Sequence, residues 1–334
     1  MTLAAAIKRE ARHLGFDAVG ISRVEAVLER PGPPLSESLH TRLLDWLQHG
    51  YHGAMGWMAR DPARRTDPGQ VLSGCRSVIS LGMNYYTEHR ADERPGHGRI
   101  ARYAWGRDYH DILKDRLEQL AARIKTLAPE AETTWYVDTG PIMEKAWAQQ
   151  AGLGWIGKHS NLVSGQFGSW LLLGEILTTL ALDPDEPGTD LCGSCTLCIK
   201  ACPTGAITEP YVVDATQCIS YWTIERHGPD DEIPIELAPK LGNRIFGCDD
   251  CLDACPYNVN ASPTDEQAFQ PSPLTLSPNL TTLGDLNEQE FTATFRRSPI
   301  RRAKHRGFTR NIRNALRNLT RPASSRPSLP AVSR

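Results

Sequence analysis

Four closely spaced cysteines form the part of the chain best suited to chemistry. They are Cys192, Cys195, Cys198 and Cys202, followed by Pro203, in the order C-x2-C-x2-C-x3-C-P. The short spacers let three thiolates converge on one iron–sulfur cube, and in two-cluster ferredoxins the fourth ligand of such a run serves the other cluster. Zinc ligation and disulfides are the alternatives, but this spacing is typical of 4Fe–4S binding.

A second cysteine run supplies the partners that the first run requires. It reads C-x2-C-x3-C-P from Cys248 through Cys251 to Cys255, and the detached Cys218 completes the set. The crossed pattern of two-cluster ferredoxins predicts that each cluster takes ligands from both runs. The predicted ligands are Cys192, Cys195, Cys198 and Cys255 for cluster one, and Cys202, Cys218, Cys248 and Cys251 for cluster two.

Cys75 is the ninth cysteine and stands apart from both runs. Its simplest interpretation is a small buried apolar side chain. The N-terminal residues form an amphipathic helix pattern rather than a signal peptide, and no apolar run reaches the ~18 residues of a membrane span. We therefore expect a cytoplasmic protein without a membrane partner, in a reducing compartment where clustered cysteines bind metal.

The charges are unevenly distributed along the 334 residues, although the net charge is only −2. Of the 37 basic residues, 12 lie in residues 292–334, which contain no Asp or Glu. A basic end on an acidic body favours a polyanionic partner. In the helix predicted over 307–319, Arg310, Arg313 and Arg317 follow one another at helical spacing and could form a nucleic-acid contact.

The elements that must position these residues follow from the hydrophobic pattern. Helices are expected over 2–14, 36–48, 109–127 and 142–151, and strands over 17–22, 77–83, 134–138 and 169–178. Strands interleaved with helices predict an α+β or α/β layer domain over residues 1–180. We expect this domain to be followed by a cluster domain (181–262), a basic helical segment (263–320) and a disordered tail (321–334).

Asp138 is the candidate acid, because a predicted strand ends on it just before a Thr-Gly-Pro turn. Near a helix start, an aspartate can simply accept backbone N–H groups. As a general acid it would need a raised pKa, which an apolar pocket with Trp135 and Trp155 could provide. The glycine-spaced loop 152–161 formally matches a dinucleotide fingerprint, but it follows a helix rather than a strand, so nucleotide binding is not expected.

Several longer motifs resemble the epoxyqueuosine reductase family, in order over most of residues 3–260. They are Val137-Asp138-Thr139-Gly140-Pro141, Glu144-Lys145, the loop from Ala151 to Ser160, both cysteine runs, Cys218-Ile219-Ser220-Tyr221, Thr223-Ile224-Glu225 and the stretch from Gly242 to Cys251. The resemblance implies an oxidoreductase of the last step of queuosine biosynthesis. Such an enzyme reduces epoxyqueuosine to queuosine at the wobble position of a tRNA anticodon.

The same resemblance implies a nitroreductase-like domain that binds base-off cobalamin and packs on a ferredoxin-like domain with two 4Fe–4S clusters. Cobalamin would attack the epoxide with electrons from the clusters, and Asp138 would protonate the opening oxygen. Cluster two, through Cys218 and Ser220, would lie nearer the corrin. The side chains implied to contact cobalamin are Arg65, Asp138, Lys158, His159, Ser160, Ser220 and Tyr221.

A tRNA substrate needs basic side chains that hold phosphates while the target base leaves the anticodon loop. The candidates are Arg102, Lys145, Arg244, Arg310, Arg313 and Arg317. We expect a monomer that is served by an unidentified low-potential electron donor. Two alternatives are a corrinoid-dependent reductive dehalogenase, which leaves the basic end without a purpose, and a ferredoxin-type electron-transfer protein, which does not need residues 1–180.

Overall fold

The computed structural model describes residues 2–25, 38–92 and 94–320. The strands are β1 (Ala18–Arg23), β2 (Ser77–Asn84), β3 (Arg99–Ile100), β4 (Thr133–Tyr136), β5 (Trp155–Ile156), β6 (Leu162–Val163), β7 (Leu171–Thr178), β8 (Ile207–Glu209), β9 (Val212–Val213) and β10 (Arg244–Phe246). The α-helices are α1 (Leu3–His13), α2 (Leu39–Gln48), α3 (Pro62–Thr66), α4 (Tyr109–Leu127), α5 (Glu144–Gln150), α6 (Leu197–Ala201), α7 (Asp250–Asp253), α8 (Pro273–Leu276), α9 (Leu280–Gly284), α10 (Glu288–Thr294) and α11 (Lys304–Leu319).

A four-stranded antiparallel sheet in the order β1-β2-β7-β4 forms the centre of the N-terminal part. All eight residues of β2 are buried, because helices cover both faces of the sheet. On one face, α4 places Leu113, Leu117, Leu120 and Ile124 at helical spacing against α1 and the sheet. The expected combination of helices with a sheet is therefore confirmed, and the sheet is antiparallel as an α+β fold requires.

Helix α5 covers the opposite face of the sheet and carries the start of the candidate site. Its Trp147 is fully buried and packs with Val78 of β2 and Leu177 of β7. The chain reaches α5 from β4 through a tight turn that contains Asp138. Packing of Trp147 thus fixes the first residue of α5, Glu144, relative to that turn.

Residues between Leu280 and Ala315 form a second hydrophobic core. Phe295, Phe308 and Ile312 pack there with Trp105 and with Phe246 of the cluster region. The strands β3 and β10 pair in parallel beneath them. The basic segment is therefore joined to both the sheet region and the cluster region by apolar packing.

Several local predictions are confirmed at the level of single elements. The helices expected over 2–14, 109–127 and 307–319 are α1, α4 and α11. Helix α2 begins after Ser38, whose Oγ accepts a hydrogen bond from Thr41 N at 3.1 Å. Residue 36, where this helix was expected to begin, and the tail 321–334 lie outside the described residues. Of the helices within the described ranges, none has the length and apolar character needed to cross a membrane.

Candidate functional site

In the first predicted cysteine set, Cys192 and Cys195 precede α6, Cys198 lies within it, and Cys255 follows α7. Electrostatic interactions link the thiols of Cys192, Cys195, Cys198 and Cys255 to one another. Burial, with these neighbouring thiols, raises the pKa of Cys198 to about 11. A thiol of this kind becomes a thiolate only when a strong positive centre such as iron replaces its proton.

The second predicted set is grouped in the same way around Cys251. The thiols of Cys202, Cys218 and Cys248 all act on Cys251, and burial raises its pKa well above the ordinary value. Within the ranges that the structure covers, no three His, Cys, Asp or Glu side chains form a site for a single metal ion. The two groups of four coincide with the predicted ligand sets, and iron ligation by them stays a prediction.

Hydrogen-bond donors point at the sulfur atoms of both groups. Trp155 Nε1 donates to Cys192 Sγ at 3.4 Å, and the amide of Ala206 donates to Cys202 Sγ at 3.2 Å. Backbone N–H groups of Ser220 and Tyr221 lower the pKa of Cys218, against the larger effect of its burial. Such donors stabilise negative sulfur, so the surroundings of the cysteines fit iron–sulfur clusters.

A cavity of about 250 Å³ separates the sheet from the second cysteine group. On the cluster side it is bordered by Ser220 and Cys248, and on the sheet side by Lys145 and Asn161. Its other lining residues are Tyr85, Ala101, Tyr103, Tyr109, Leu162, Ser169, Leu171, Leu172, Leu173, Asp249 and Leu252. Apolar walls with a few polar groups at the rim are typical of cofactor sites.

Lys145 links the two sides of this cavity. Its side chain is exposed at the cavity, and its Nζ donates to Ser160 O at 3.1 Å and Asn161 Oδ1 at 2.7 Å. Burial lowers the pKa of Lys145, against the charges of Glu144, Asp138 and the cysteines of the second group. This ammonium group therefore interacts with both the carboxylates and the thiolates of the site.

The loop 152–161 attaches to the cluster region through the side chains predicted to contact cobalamin. Lys158 Nζ donates to Gly193 O at 2.5 Å and to Cys195 O at 2.9 Å, and Ser160 Oγ donates to Tyr211 O at 2.7 Å. His159 is buried, and burial lowers its pKa to about 4, so its imidazole is neutral. The side chains of Lys158 and Ser160 are thus used in hydrogen bonds to backbone carbonyls of the cluster region.

The remaining predicted cofactor residues occupy different places. Ser220 borders the cavity. Tyr221 lies next to it in sequence, and its hydroxyl accepts the N–H of Ala54 at 2.7 Å, which connects the cluster region to the glycine-rich loop before α3. Arg65 packs over the ring of Trp57 at 5.0 Å and donates to Trp57 O at 3.0 Å. Of these side chains, only Ser220 is brought to the cavity.

Asp138 belongs to a chain of three hydrogen-bonded groups. His110 Nε2 lies 3.3 Å from Asp138 Oδ2, and His110 Nδ1 lies 2.7 Å from Asp108 Oδ1. Asp108 also caps α4, and Tyr109, which borders the cavity, stacks on the His110 ring at 4.1 Å. The two carboxylates raise the pKa of His110 to about 9, against the effect of its burial. The imidazole is therefore protonated at neutral pH.

The pKa of Asp138 is not raised, as a general acid would need, but lowered. The hydrogen bond from His110 holds the pKa of Asp138 below its ordinary value, and burial opposes this effect only in part. The expected tryptophan pocket is also absent around this carboxyl in the described structure, because Trp155 packs with Cys192 and Tyr257, and Trp135 packs against the main core. His110 and Asp108 are not among the predicted site residues, although an aspartate two residues before a histidine at a helix start indicates such a pair.

Three of the arginines predicted to contact tRNA form bonds inside the protein. The guanidinium of Arg102 donates to the carbonyls of Thr87 and His89, and that of Arg244 forms a buried ion pair with Asp250. Arg310 is only 7% exposed and donates to the carbonyl of Asp231 at 2.8 Å. Further bonds join it to the carbonyl of Trp222 and the side chain of Asn311.

Other arginines of the basic segment remain accessible. Arg313 and Arg317 are exposed on α11, as predicted. Arg301 and Arg302, which belong to the same basic stretch of sequence, are exposed just before α11. The charge of Arg302 lowers the pKa of Asp138, and that of Arg301 lowers the pKa of Asp108. These two arginines therefore lie beside the hydrogen-bonded chain of the site.

A cysteine-rich region that faces a cavity beside a proton-holding chain is the arrangement expected of an iron–sulfur oxidoreductase. Residues 65–139 match the family described as "Epoxyqueuosine reductase QueG, DUF1730", and residues 191–258 match a "4Fe-4S double cluster binding domain". An epoxyqueuosine reductase of Synechocystis is 46% identical over 81% of this chain and 92% of its own length. One of Gloeobacter violaceus is 45% identical over 94% of this chain and 95% of its own length. The chain belongs to the epoxyqueuosine reductase family.

Solved structures of the same family have the same fold. A crystal structure of an epoxyqueuosine reductase with an epoxyqueuosine-modified tRNA-Tyr stem loop superposes with a TM-score of 0.85, at 29% identity over 95% of this chain and 81% of that one. A Bacillus subtilis epoxyqueuosine reductase, with a catalytic aspartate loop swung out of the active site, superposes with a TM-score of 0.84. It is 28% identical over 95% of this chain and 82% of its own.

Proposed function

We propose that this chain reduces epoxyqueuosine in the tRNA anticodon to queuosine, the last step of queuosine biosynthesis. The observation that carries the proposal is the position of Lys145 in the cavity. Its ammonium group interacts with the carboxylates of Asp138 and Glu144 and with the thiols of Cys218 and Cys251. A substrate beside Lys145 would therefore be within reach of a proton source and of cluster two.

The reaction consumes two electrons and two protons. Both epoxide C–O bonds break, the carbons are left joined by a double bond, and the oxygen leaves as water. The two electrons come from a donor outside the protein and pass through the cluster pair. They pass one at a time, because an iron–sulfur cluster transfers single electrons. We propose that Cys192, Cys195, Cys198 and Cys255 hold cluster one, and that Cys202, Cys218, Cys248 and Cys251 hold cluster two beside the cavity.

Base-off cobalamin is the proposed occupant of the cavity, held by a nitroreductase-like domain. The leucines at 171–173 and Tyr85 offer apolar walls to a flat macrocycle, while Ser220, Lys145 and Asn161 offer polar groups to its amide edge. When bound, the cofactor supplies a low-valent cobalt that delivers electron pairs to carbon. The chain's own residues then have to exclude water, orient the substrate and move protons.

The proton that opens the epoxide is proposed to come from the hydrogen-bonded chain at Asp138. Protonated His110 donates through Nε2 to Asp138 Oδ2, and Asp108 holds the imidazole through Nδ1. Because the pKa of Asp138 is low and that of His110 is about 9, the imidazole is the group that stores the proton at neutral pH. Asp138, which is 57% exposed, is the group that can present it to the epoxide oxygen.

Exposed arginines beside the site support tRNA as the substrate. Arg301, Arg313 and Arg317 are exposed and available for phosphate contacts, and Arg302 is exposed while it pairs with Glu225. The bonds of Arg102, Arg244 and Arg310 support structural roles for these three. Because mature tRNA substrates are cytoplasmic in bacteria, we propose that the enzyme acts there. We further propose that it works as a monomer with an external low-potential donor.

The test is the conversion of epoxyqueuosine in tRNA by the anaerobically reconstituted chain with cobalamin and a strong reductant. Nucleoside mass analysis should show loss of one oxygen, and reactions without cobalamin should show none. Cys218→Ala should contain about half of the wild-type iron and should lack turnover, since one of two clusters is lost. Cys75→Ala is the matched control and should keep full iron and activity. Unchanged epoxyqueuosine with fully loaded wild-type protein would refute the proposed function.

A further inference from the structure

The backbone of Asp138 adopts a conformation that side chains other than glycine seldom take. Its φ angle is 55°, in the left-handed region where Cβ crowds the following carbonyl. Such a conformation persists only where the surroundings hold it. The residue directs its carboxyl to His110, so this backbone geometry determines where the proton-presenting group points.

One side chain holds the amide of this residue. Asp138 N donates to Glu144 Oε1 at 2.5 Å, and an ionised carboxylate at this position makes the hydrogen bond charge-assisted. Glu144 is the first residue of α5, which Trp147 anchors against the sheet. The acceptor is therefore fixed to a rigid element, while Asp138 lies in the turn.

A second carboxyl lies beneath this contact. Glu175 of β7 pairs in the sheet with Tyr136, two residues before Asp138, and it is fully buried with neither carboxyl oxygen hydrogen-bonded. An ionised carboxylate in that place would be very costly. Burial, followed by the charges of Glu144 and Asp138, raises the pKa of Glu175 well above its ordinary value. Glu175 is therefore neutral, and Glu144 is the one of these two glutamates that can be ionised near neutral pH.

From this arrangement, and resting on the proposed function, we infer that Glu144 is a positioning residue for the reaction. Its carboxylate holds the Asp138 backbone in the left-handed conformation that keeps the Asp138 carboxyl against His110. Glu144 touches neither substrate nor cofactor in this role; it acts through Asp138. When the contact is lost, the turn from 138 to 143 should relax and the acid should leave its partner.

This contact should depend on pH. The groups that face Glu144 are Asp138 in the turn, Lys145 on its own helix, His110 on α4 and Glu175 on β7. Burial first, and then the charge of Asp138, raises the pKa of Glu144 to about 7. Because the ionised form is the stronger acceptor, the contact should be intact above pH 7 and should weaken as the pH falls below it.

The decisive variants are Glu144→Asp, which is one methylene too short to reach the amide, and Glu144→Gln, whose amide oxygen can still accept the bond. Amide hydrogen exchange of the peptide containing Asp138 should be roughly 10-fold faster or more in Glu144→Asp and close to wild type in Glu144→Gln at pH 8. Turnover of epoxyqueuosine-tRNA by Glu144→Asp should fall roughly 10- to 100-fold at nearly unchanged KM. Glu144→Gln should restore most of it and should lack the acid limb near pH 7.

Glu175→Gln is the matched control, because replacing a carboxyl that is already neutral should alter neither exchange nor the pH profile. Wild-type exchange and turnover in Glu144→Asp would overturn the inference, as would equal loss in Glu144→Gln. The exchange measurement needs no substrate. If the wild-type chain fails to reduce epoxyqueuosine, the proposed function fails, while exchange still decides whether Glu144 holds the turn.

Discussion

The titratable side chains around Asp138 hold more protons at neutral pH than their ordinary pKa values would give. Glu175 is neutral because it is buried without a partner, and His110 is charged because it lies between two carboxylates. Asp138 itself stays ionised beside that imidazolium. A site of this kind can release a proton towards a substrate without a carboxylic acid of unusual pKa, because the imidazolium is the store.

His110→Gln tests this proton store through stability and turnover. The folded-state pKa of His110 is about 9, above the ordinary 6.5, so the charged imidazole should stabilise the fold fully below pH 6.5, down to the range where the aspartates become protonated. This contribution is lost as the pH rises through 9. The unfolding midpoint of the variant should therefore lie below that of wild type at pH 6 and match it at pH 10.

Turnover should also depend on His110, because its imidazolium is the proposed proton store. Without the imidazolium, His110→Gln should lose roughly 10- to 100-fold in turnover at pH 7 while both iron content and tRNA affinity are retained. A midpoint difference that is constant from pH 6 to pH 10 would show that His110 is uncharged in the folded protein. Full turnover would remove it from the proton path.

At the scale of elements, helix α11 shows how far a sequence pattern can go. The apolar positions Phe308, Ile312 and Ala315 predict the helix and its buried face, and all three are buried. The spacing of its arginines predicts one exposed basic face, but Arg310 is buried. Its partners are carbonyls near residues 222 and 231, and no local pattern shows that a distant chain segment will offer carbonyls to a guanidinium.

The same distinction applies to the candidate site as a whole. A grouping of the cysteines could be predicted from spacing alone, because cluster geometry constrains short segments of chain. The link between His110 and Asp138 could not, because it joins the start of α4 to the end of β4 through the packing of the sheet. Likewise, the low pKa of Asp138 depends on that neighbour and is invisible in the sequence around the aspartate.

Arg310→Ala should therefore be a stability variant rather than a tRNA-binding variant. It leaves the carbonyls of Trp222 and Asp231 without their donor, which should lower the free energy of unfolding by about 3 kcal/mol. Arg313→Ala, at an exposed position one turn later, should change it by less than about 0.5 kcal/mol. Anaerobic urea unfolding of the two variants decides this. If the two variants were equally stable, the guanidinium of Arg310 would have to lie in solvent, and the prediction would be wrong.

At the scale of the whole molecule, the structure places part of the basic charge next to the candidate site. The basic C-terminal part is joined to the rest of the protein by its own core, so its arginines are held on the surface rather than carried on a loose end. Arg301 and Arg302 come to lie beside Asp108 and Asp138. An anionic stem loop drawn to this surface would be held next to the cavity, while the acidic remainder of the protein would repel it elsewhere.

Replacing Arg301 and Arg302 with Ala should therefore weaken tRNA binding mainly at low salt. Each phosphate contact contributes roughly 0.7 to 0.9 to the slope of log affinity against log salt, so the double variant should lose about 1.5 from that slope. Turnover at saturating tRNA should change little, because neither guanidinium holds the transferred proton. Arg302 also pairs with Glu225 at 2.8 Å, so Glu225→Gln should be measured as the control for loss of that ion pair. An unchanged slope in the double variant would move the tRNA-binding surface away from this part of the basic segment and onto Arg313 and Arg317.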